Sequence, residues 1–99
     1  MNTISSISIY GMNVAQTRLQ AAAHNIANLN TAGFHRQEVK QSALAEGGTR
    51  AVVGTTFSAG SNLETDMVQL LQAKNSFFAN LRVFEASNEA LGSLLDISA

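Results

Sequence analysis

The sequence contains no cysteine, no proline and no tryptophan. Without cysteine the chain can form no disulfide, no thiolate metal site and no cysteine nucleophile. Without proline its helices can run long and unbroken. Charge is also scarce, because charged residues make up 13% of the 99 residues and the net charge is -1. Nucleic acid is therefore not expected as a partner, since binding phosphates requires a basic surface.

The N-terminal third is almost without charge, since Arg18 is the only charged side chain before residue 36. A cleaved secretory signal begins with basic residues and continues into an apolar block. Residues 2–13 contain neither, and no apolar run approaches the roughly 20 residues that cross a bilayer. We therefore expect no membrane insertion, and we expect that any export from the cytoplasm occurs without a cleaved signal peptide.

Apolar residues make up 45% of the chain, and the first of them follow a helical pattern. Over residues 3–30 they recur at intervals of three and four, which predicts an N-terminal helix. Alanine is common among them, so this helix allows a close approach by a neighbour but buries little area per residue. Asn28, Asn30 and Gly33 indicate where the helix ends. The apolar positions are Ile4, Ile7, Gly11 and Val14 in one row and Met12, Ala15, Leu19, Ala22, Ile26 and Leu29 in the next.

Residues 31–61 differ in composition from the segment before them. Glycine and threonine accumulate there, and Val39, Val52 and Val53 appear. β-Branched residues on both sides of a Gly-Gly turn are typical of a hairpin. We predict a short β-hairpin or extended arm, with strands at roughly 34–44 and 50–57 and a turn at residues 46–49. An irregular loop is the alternative.

Residues 62–96 carry the strongest pattern and predict a C-terminal helix. Ser61 and Glu64 have the spacing of a capping box, while Glu64 and Asp66 place negative charge at the positive helix end. Two rows of mostly apolar residues then repeat every seven residues, which predicts a coiled coil. Leu71 and Phe78 widen the stripe, which suggests more than one neighbouring helix. The rows are Met67, Lys74, Leu81, Asn88 and Leu95, and Leu70, Phe77, Phe84 and Leu91.

Two polar residues, Lys74 and Asn88, interrupt the first of these rows. Polar residues at such positions can fix the register and the number of helices in a coiled coil. Asn88 either has that role or lies at an exposed end of an imperfect seam, and both interpretations stay open. For Lys74 the second interpretation is favoured, because its long stem can lie along apolar surface while the ammonium stays in water.

Together the segments predict a mainly α chain and a single domain over residues 1–99. Two long helices would form a coiled-coil hairpin or bundle, with a short central β-hairpin or extended arm. The helices would be about 40 Å and 50 Å long at 1.5 Å per residue. A lone pair would leave one flank of each helix in water, so we expect self-association. The predicted subunit or helix interface contains Leu19, Ile26, Met67, Leu70, Leu71, Phe77, Phe78, Leu81, Phe84, Leu91 and Leu95.

No constellation of residues indicates catalysis. His24 and His35 lie 11 residues apart, and no acidic residue near them makes a ligand set before Glu38, so we interpret them as surface or interface residues rather than metal ligands. The glycines match no phosphate-binding pattern, and no pair of carboxylates is placed for acid–base work. We therefore predict no catalytic, cofactor-binding or metal-binding residue and no small-molecule substrate.

Residues 24–37, HNIANLNTAGFHRQ, resemble the N-terminal signature of bacterial flagellar rod, hook and hook-associated axial proteins. Residues 61–95 resemble the C-terminal signature of the same family. Ala32 stands where the family often has proline, and Phe34 stands where it often has tyrosine. Because the centre is short, the chain is most similar to a minimal proximal-rod member. The N-terminal motif residues are Asn25, Ile26, Ala27, Asn28, Thr31, Gly33 and Phe34.

The resemblance implies a structural, non-enzymatic subunit of the basal-body rod–hook axis. Its implied partners are copies of itself, other flagellar axial proteins and the flagellar type III export apparatus. Its implied location is the rod that spans the periplasm, where the terminal helices pack and the central arm contacts adjacent subunits. One alternative stays open, a stand-alone coiled-coil adaptor or chaperone-like partner of secreted subunits, which would form a small closed oligomer. A small enzyme would need a constellation of residues that the sequence does not contain.

Overall fold

The computed structural model describes residues 3–56, 60 and 62–98, with the side chains of 97 and 98 excepted. Four elements follow one another: α1 (Thr3–Ala27), β1 (Gln37–Ala43), β2 (Thr49–Thr55) and α2 (Leu63–Ser98). The predicted mainly α architecture with a central β-hairpin is thereby confirmed. α1 ends earlier than predicted, and both strands are shorter than predicted. Over the described residues, neither helix is long and apolar enough to cross a membrane.

Asn62 caps the N-terminus of α2. Its side-chain Oδ1 accepts a hydrogen bond from the backbone N–H of Thr65 at 3.1 Å, and its carbonyl accepts one from the N–H of Asp66 at 3.0 Å. A cap of this kind satisfies an amide that the start of a helix leaves open. Ser61, to which the capping box was assigned, lies outside the described residues.

α1 and α2 lie side by side and run in opposite directions. At one end Ser5 shares a hydrogen bond with Ser87, with 3.2 Å between the two Oγ atoms. At the other end Asn25 donates to Asp66, with 3.3 Å between Nδ2 and Oδ1. Since residue numbers rise along one helix as they fall along the other, each residue of α1 has a defined counterpart on α2.

The face of α2 that lies against α1 is shifted by one residue from the predicted face. The row Leu70, Phe77 and Phe84 is half-buried, as a helix contact requires. The other predicted row does not form the contact with α1, because Asp66 and Ala73 are buried there while Met67 is 52% exposed. Small and polar side chains occupy the observed row because the helices approach closely there. The predicted members were Met67, Lys74, Leu81, Asn88 and Leu95, and the observed ones are Asp66, Ala73, Asn80 and Ser87. That the predicted row contacts other subunits stays a prediction.

The β-hairpin lies along α1. Its strands pair antiparallel, with Gln37 opposite Thr55 and Ala43 opposite Thr49. Gly48 turns the chain with a φ of 88°, and an added Cβ there would lie 2.3 Å from the Tyr10 ring. The turn therefore rests directly on α1. A two-stranded hairpin is marginal on its own, so contact with the helix holds it in place.

The molecule is elongated, with extents of 63 × 25 × 13 Å. α2 has 36 residues and α1 has 25. Because Ser5 faces Ser87, the end of α2 extends past Thr3, the first residue of α1, by about 14 Å at 1.5 Å per residue. We call this projecting segment, residues 90–98, the α2 tip.

Candidate assembly surfaces

A group of polar residues, which we call the polar node (Asn25, Arg36, Gln37 and Asp66), joins three segments of the chain. Asn25 is fully buried near the end of α1. Its Oδ1 accepts a hydrogen bond from the Gln37 N–H at 2.8 Å, and its Nδ2 donates to the Gln37 carbonyl at 3.0 Å. The Asn25 amide thus pairs with the first residue of β1 as the backbone of another strand would.

The carboxylate of Asp66 brings α2 into the polar node. Asp66 is 0% exposed and forms an ion pair with Arg36, whose side chain is 15% exposed. Arg36 donates from Nε to Oδ2 at 3.2 Å and from Nη2 to Oδ1, which is the two-pronged pairing that guanidinium and carboxylate groups favour. The hydrogen bond to Asp66 raises the pKa of Arg36 against an opposing effect of burial. The guanidinium is therefore charged at every pH at which the chain is handled.

The turn after α1 explains most of the N-terminal motif. Asn28 donates from Nδ2 to the His24 carbonyl at 2.9 Å, and its Oδ1 accepts from the Thr31 hydroxyl at 3.2 Å. Gly33 has a φ of 71°, which a residue with a side chain rarely adopts. The Phe34 ring packs against the His24 ring at a centroid distance of 5.3 Å. These contacts reverse the chain so that β1 returns along α1.

The contact between the two helices buries mainly small side chains. Ser5 and Ser8 are each 1% exposed, and the Asn80 carboxamide lies where any side chain at position 11 would have to go. Small residues permit close helix contact, but each of them buries little apolar area. In the described part of the chain, the buried apolar residues are Val14, Ala15, Ala21, Ala22 and Ala73.

The large apolar side chains of α2 lie mostly outside this contact. We call the surface formed by Met67, Leu71 and Phe78 the outer flank. These residues are 52%, 57% and 49% exposed, respectively. At 100° per residue they fall within a narrow sector of the helix, turned away from the row that contains Asp66 and Ala73. The outer flank is therefore an apolar stripe, interrupted by the exposed Lys74, that the chain itself does not cover over its described residues.

The predicted interface residues fall into two groups by their exposure. Those that are half-buried within the chain are Leu19, Ile26, Leu70, Phe77, Leu81 and Phe84, and those that are exposed are Met67, Leu71, Phe78, Leu91 and Leu95. Lys74 is exposed between residues of the outer flank, and Asn88 is exposed at the margin of the α1 contact, 3.4 Å from the Ser5 hydroxyl. That the exposed residues contact other subunits stays a prediction.

α1 and the N-terminal motif that follows it are similar to a known protein family. Residues 7–35 match the family model for the flagella basal body rod protein. The matched segment runs from α1 through the turn and includes every residue of the N-terminal motif. This confirms the resemblance to the rod family for that part of the chain. No curated protein matches the chain significantly.

The rod family is a structural family, so the match supports a structural role in the flagellar basal body alongside other axial components. Four residues of the N-terminal motif have clear physical roles. Asn25, Asn28 and Thr31 form hydrogen bonds, and Gly33 turns the chain. Ile26 is half-buried and Ala27 is exposed. The C-terminal resemblance at residues 61–95 lies outside the matched segment and stays a prediction.

Sequence reasoning missed the partnership of Arg36 and Asp66. From the sequence, Asp66 is expected only as a negative charge at the start of a helix. Their 30-residue separation carries no local signal, and only the turn that begins at Asn28 brings them together. One feature of the sequence indicates that Asp66 faces α1: it stands seven residues before Ala73, in a row of small or polar residues.

No arrangement for metal binding is present in the described part of the chain, where no group of three or more His, Cys, Asp or Glu side chains is placed to hold an ion. Each histidine has a structural neighbour instead. The His24 ring contacts Phe34, and Nδ1 of His35 forms a hydrogen bond with the Thr56 carbonyl at 2.8 Å. Both residues lie at the surface, on the turn side of the molecule.

Proposed function

We propose that this chain is a structural subunit of the flagellar basal-body rod and assembles through its two terminal helices. The observation that carries the proposal is the outer flank. Met67, Leu71 and Phe78 form an apolar stripe about half exposed, and soluble monomers rarely leave such patches uncovered. In the assembled rod, the outer flank packs against helices of neighbouring subunits.

The small size of the internal core supports the same proposal. The buried apolar residues of the described part are one valine and four alanines. A core of such small side chains buries little apolar area, so it contributes little to the free energy of folding. Packing of the outer flank against sister chains supplies the missing apolar burial.

Export through the flagellar type III apparatus is part of the proposal. A subunit that passes through a narrow channel has to unfold first, and a core of small residues makes unfolding inexpensive. The scarcity of charge before residue 36 fits an N-terminus that is read without cleavage. The rod then forms on the far side of the inner membrane, in the space that the basal body spans.

The proposal is tested by deleting this chain from a bacterium that normally makes flagella. We expect that the deletion strain forms no flagella and that the wild-type chain restores them. We also expect that a peptide-tagged chain is found in purified basal bodies. Phe78→Asp should not restore flagella, while Asn75→Asp, an exposed polar position on the same helix, should restore them.

The adaptor reading predicts a different result in the same experiment. An adaptor or chaperone would be missing from purified basal bodies and would occur in the cytoplasm as a closed oligomer of fixed mass. Finding the tagged chain only there would contradict the proposed rod function.

A further inference from the structure

The outer edge of β2 is a strand edge that the chain leaves open. β1 pairs with the other edge, and among the described residues no Cα atom of α2 lies within 8 Å of a β2 residue. The outer edge runs beside α1, where Asn13 and Thr17 border the space beneath Ala51. This edge is therefore accessible to a strand from outside the chain.

Two backbone hydrogen bonds show which residues of β2 point outward. The N–H of Thr56 donates to the carbonyl of Arg36 at 2.8 Å. At the other end of the hairpin, the N–H of Leu44 donates to the carbonyl of Gly48 at 3.0 Å. Both bonds join even-numbered residues of the same register, and the direction of the backbone groups alternates along a strand. The residues whose N–H and C=O groups point outward are therefore Thr49, Ala51, Val53 and Thr55.

β2 has few of the features that usually keep an edge strand from pairing. Such edges are commonly protected by lysine, proline, inward-pointing charges or bulges. β2 contains neither lysine nor proline, its single charge is Arg50, and it pairs with β1 without a bulge. Val52 and Val53 at its centre are each 50% exposed. A regular, apolar edge of this kind favours pairing with another strand.

We infer that β2 pairs antiparallel with β2 of a second copy, about a two-fold axis that passes between Val52 and its counterpart. Outward groups then meet outward groups, because Ala51 lies opposite Val53 of the second copy and Thr49 lies opposite Thr55. All four outward residues of each strand are used, which gives about eight backbone hydrogen bonds, two for each of the four pairs. A shift of the register by two residues would leave some of these groups without a partner from β2.

Gly54 has a reason in this register that the described part of the chain does not supply. Its φ is not positive, and no atom lies within 4 Å of a Cβ added there, although glycine weakens a strand. In the dimer Gly54 lies between Glu38 of its own chain and Arg50 of the second copy. The Cα atoms of those two residues are then about 10 Å apart, from spacings of about 5.5 and 4.5 Å. Their long side chains can meet above the glycine, where any other residue would stand between them.

The charges of this row are complementary and otherwise unpaired. Neither Arg50 nor Glu38 forms an ion pair among the described residues. Within one chain Arg50 lies opposite Ser42 rather than opposite an acidic residue. The two-fold axis brings each arginine to the glutamate of the other copy, so the ion pair forms twice. On the same face Val52 packs against its own counterpart, as cross-strand apolar pairs do.

The second copy fits beside the first without displacing α1. α1 contacts both strands of its own hairpin, and the centres of the two hairpins are two strand spacings apart, about 9.6 Å. Packed helices lie roughly 8–10 Å apart, so the two α1 helices have room side by side. At about 100° per residue, Asn13 and Gln20 lie on the side of α1 away from Gly11 and α2, and both are exposed. These polar residues face the second copy.

The contact closes on itself, because the same edge is used by both copies. Such an isologous interface forms a dimer rather than a filament. It converts two marginal two-stranded hairpins into one sheet of four strands, with β1 of each copy at the outside. The outer flank and the α2 tip belong to α2, which lies on the other side of α1, so neither takes part. The dimer therefore covers the β2 edge in the free protein without using the surface that the proposed rod assembly needs.

Disulfide formation tests the register directly, since the natural chain contains no cysteine. Val52→Cys places two thiols opposite each other, with Cα atoms about 4.5 Å apart, which a disulfide can bridge. Val53→Cys is the matched control, because both valines are 50% exposed. Its two thiols lie diagonally, with Cα atoms roughly 7–8 Å apart, which is too far for a bridge. In oxidised glutathione we expect the full-length Val52→Cys chain to form a covalent dimer at least ten times faster than Val53→Cys.

Three results of this experiment would overturn the inference. Equal rates for the two variants would indicate random collisions, a faster reaction of Val53→Cys would indicate another register, and no covalent dimer from Val52→Cys would exclude the contact. None of these results bears on the rod function, which depends on the outer flank and is scored by flagellation.

A charge swap tests the ion pair above Gly54. The dimer Kd is measured by sedimentation velocity in chains that also carry Phe78→Asp, so that the outer flank does not contribute. Arg50→Glu should raise the Kd about tenfold, because two exposed ion pairs are lost. Adding Glu38→Arg to the same chain should return the Kd to within about threefold of its starting value. A double variant that dimerises no better than Arg50→Glu alone would contradict the pairing.

Discussion

The two sides of α2 differ in how much of their apolar surface the chain itself covers. The side towards α1 combines the small or polar residues Asp66, Ala73 and Asn80 with the half-buried row Leu70, Phe77 and Phe84. The outer flank carries Met67, Leu71 and Phe78, which are large and apolar and remain about half exposed. A self-sufficient domain covers most of its large apolar side chains. We infer from this difference that the inner side sets the register of the helix pair, while the outer flank supplies the area for assembly.

The largest effect on stability is expected at the inner side, in the polar node. Asp66→Ala leaves the charge of Arg36 and the amide of Asn25 without their partner, which should lower the free energy of unfolding by about 3 kcal/mol. Urea denaturation followed by circular dichroism measures the loss. Glu64→Ala, an exposed neighbour in the same helical turn, should change the value by less than about 0.5 kcal/mol. Equal losses in the two variants would show that the polar node has no special role.

The adjacent residues Phe77 and Phe78 compare the two sides most closely, because their rings differ mainly in direction. Phe77 is half-buried towards α1 and Phe78 is 49% exposed on the outer flank. Phe77→Ala should lower the free energy of unfolding by about 2 kcal/mol, less than for a fully buried ring. Phe78→Ala should lower it by less than about 0.5 kcal/mol, yet it should weaken assembly more. If Phe77→Ala impairs assembly more than Phe78→Ala at equal folded fraction, the assignment of the two sides is wrong.

Close approach of the helices makes Gly11 sensitive to any added side chain. A Cβ at this position would lie 2.5 Å from Asn80 Oδ1, so Gly11→Val should cost about 1.5 kcal/mol of unfolding free energy. Adding Asn80→Ala removes the overlapping group and should recover at least half of the loss, which a double-mutant cycle measures. Gly92→Val is the control, because no atom lies within 4 Å of a Cβ added there.

The smallest effect is expected where Ser5 and Ser87 meet near the start of α1. Ser87→Ala removes their shared hydrogen bond and should cost about 0.5–1 kcal/mol of unfolding free energy. Ser93→Ala, an exposed position on the same helix, should be neutral within the error of urea denaturation. A larger loss at Ser93 than at Ser87 would contradict the antiparallel register.

The sequence predicted the helices and the hairpin because their signals are local. Seven-residue repeats marked α2, spacings of three and four marked α1, and Gly47-Gly48 marked the turn that packs on Tyr10. The row Leu70, Phe77 and Phe84 was found for the same reason, since large apolar residues dominate a periodic pattern.

What could not be predicted depends on pairs that are distant in the sequence. Nothing near Asp66 in the sequence indicates that Arg36 will neutralise it. An acidic residue is therefore not expected at a position that contacts another helix. Likewise, Asn80 fits against α1 only because Gly11 lies opposite. A search for apolar residues at every seam position selects the row that begins at Met67 instead of the row that begins at Asp66. It thereby assigns residues of the outer flank to the inner side of α2.

The central claim, that the outer flank is covered by sister chains, is tested most directly by sedimentation velocity on the purified wild-type chain and on Phe78→Asp. The account predicts that the wild-type chain forms particles larger than a dimer as its concentration rises. Phe78→Asp should stop at the dimer or smaller while keeping its helical circular dichroism. A wild-type chain that never exceeds a dimer at any concentration, or a Phe78→Asp variant that assembles as the wild type does, would contradict it.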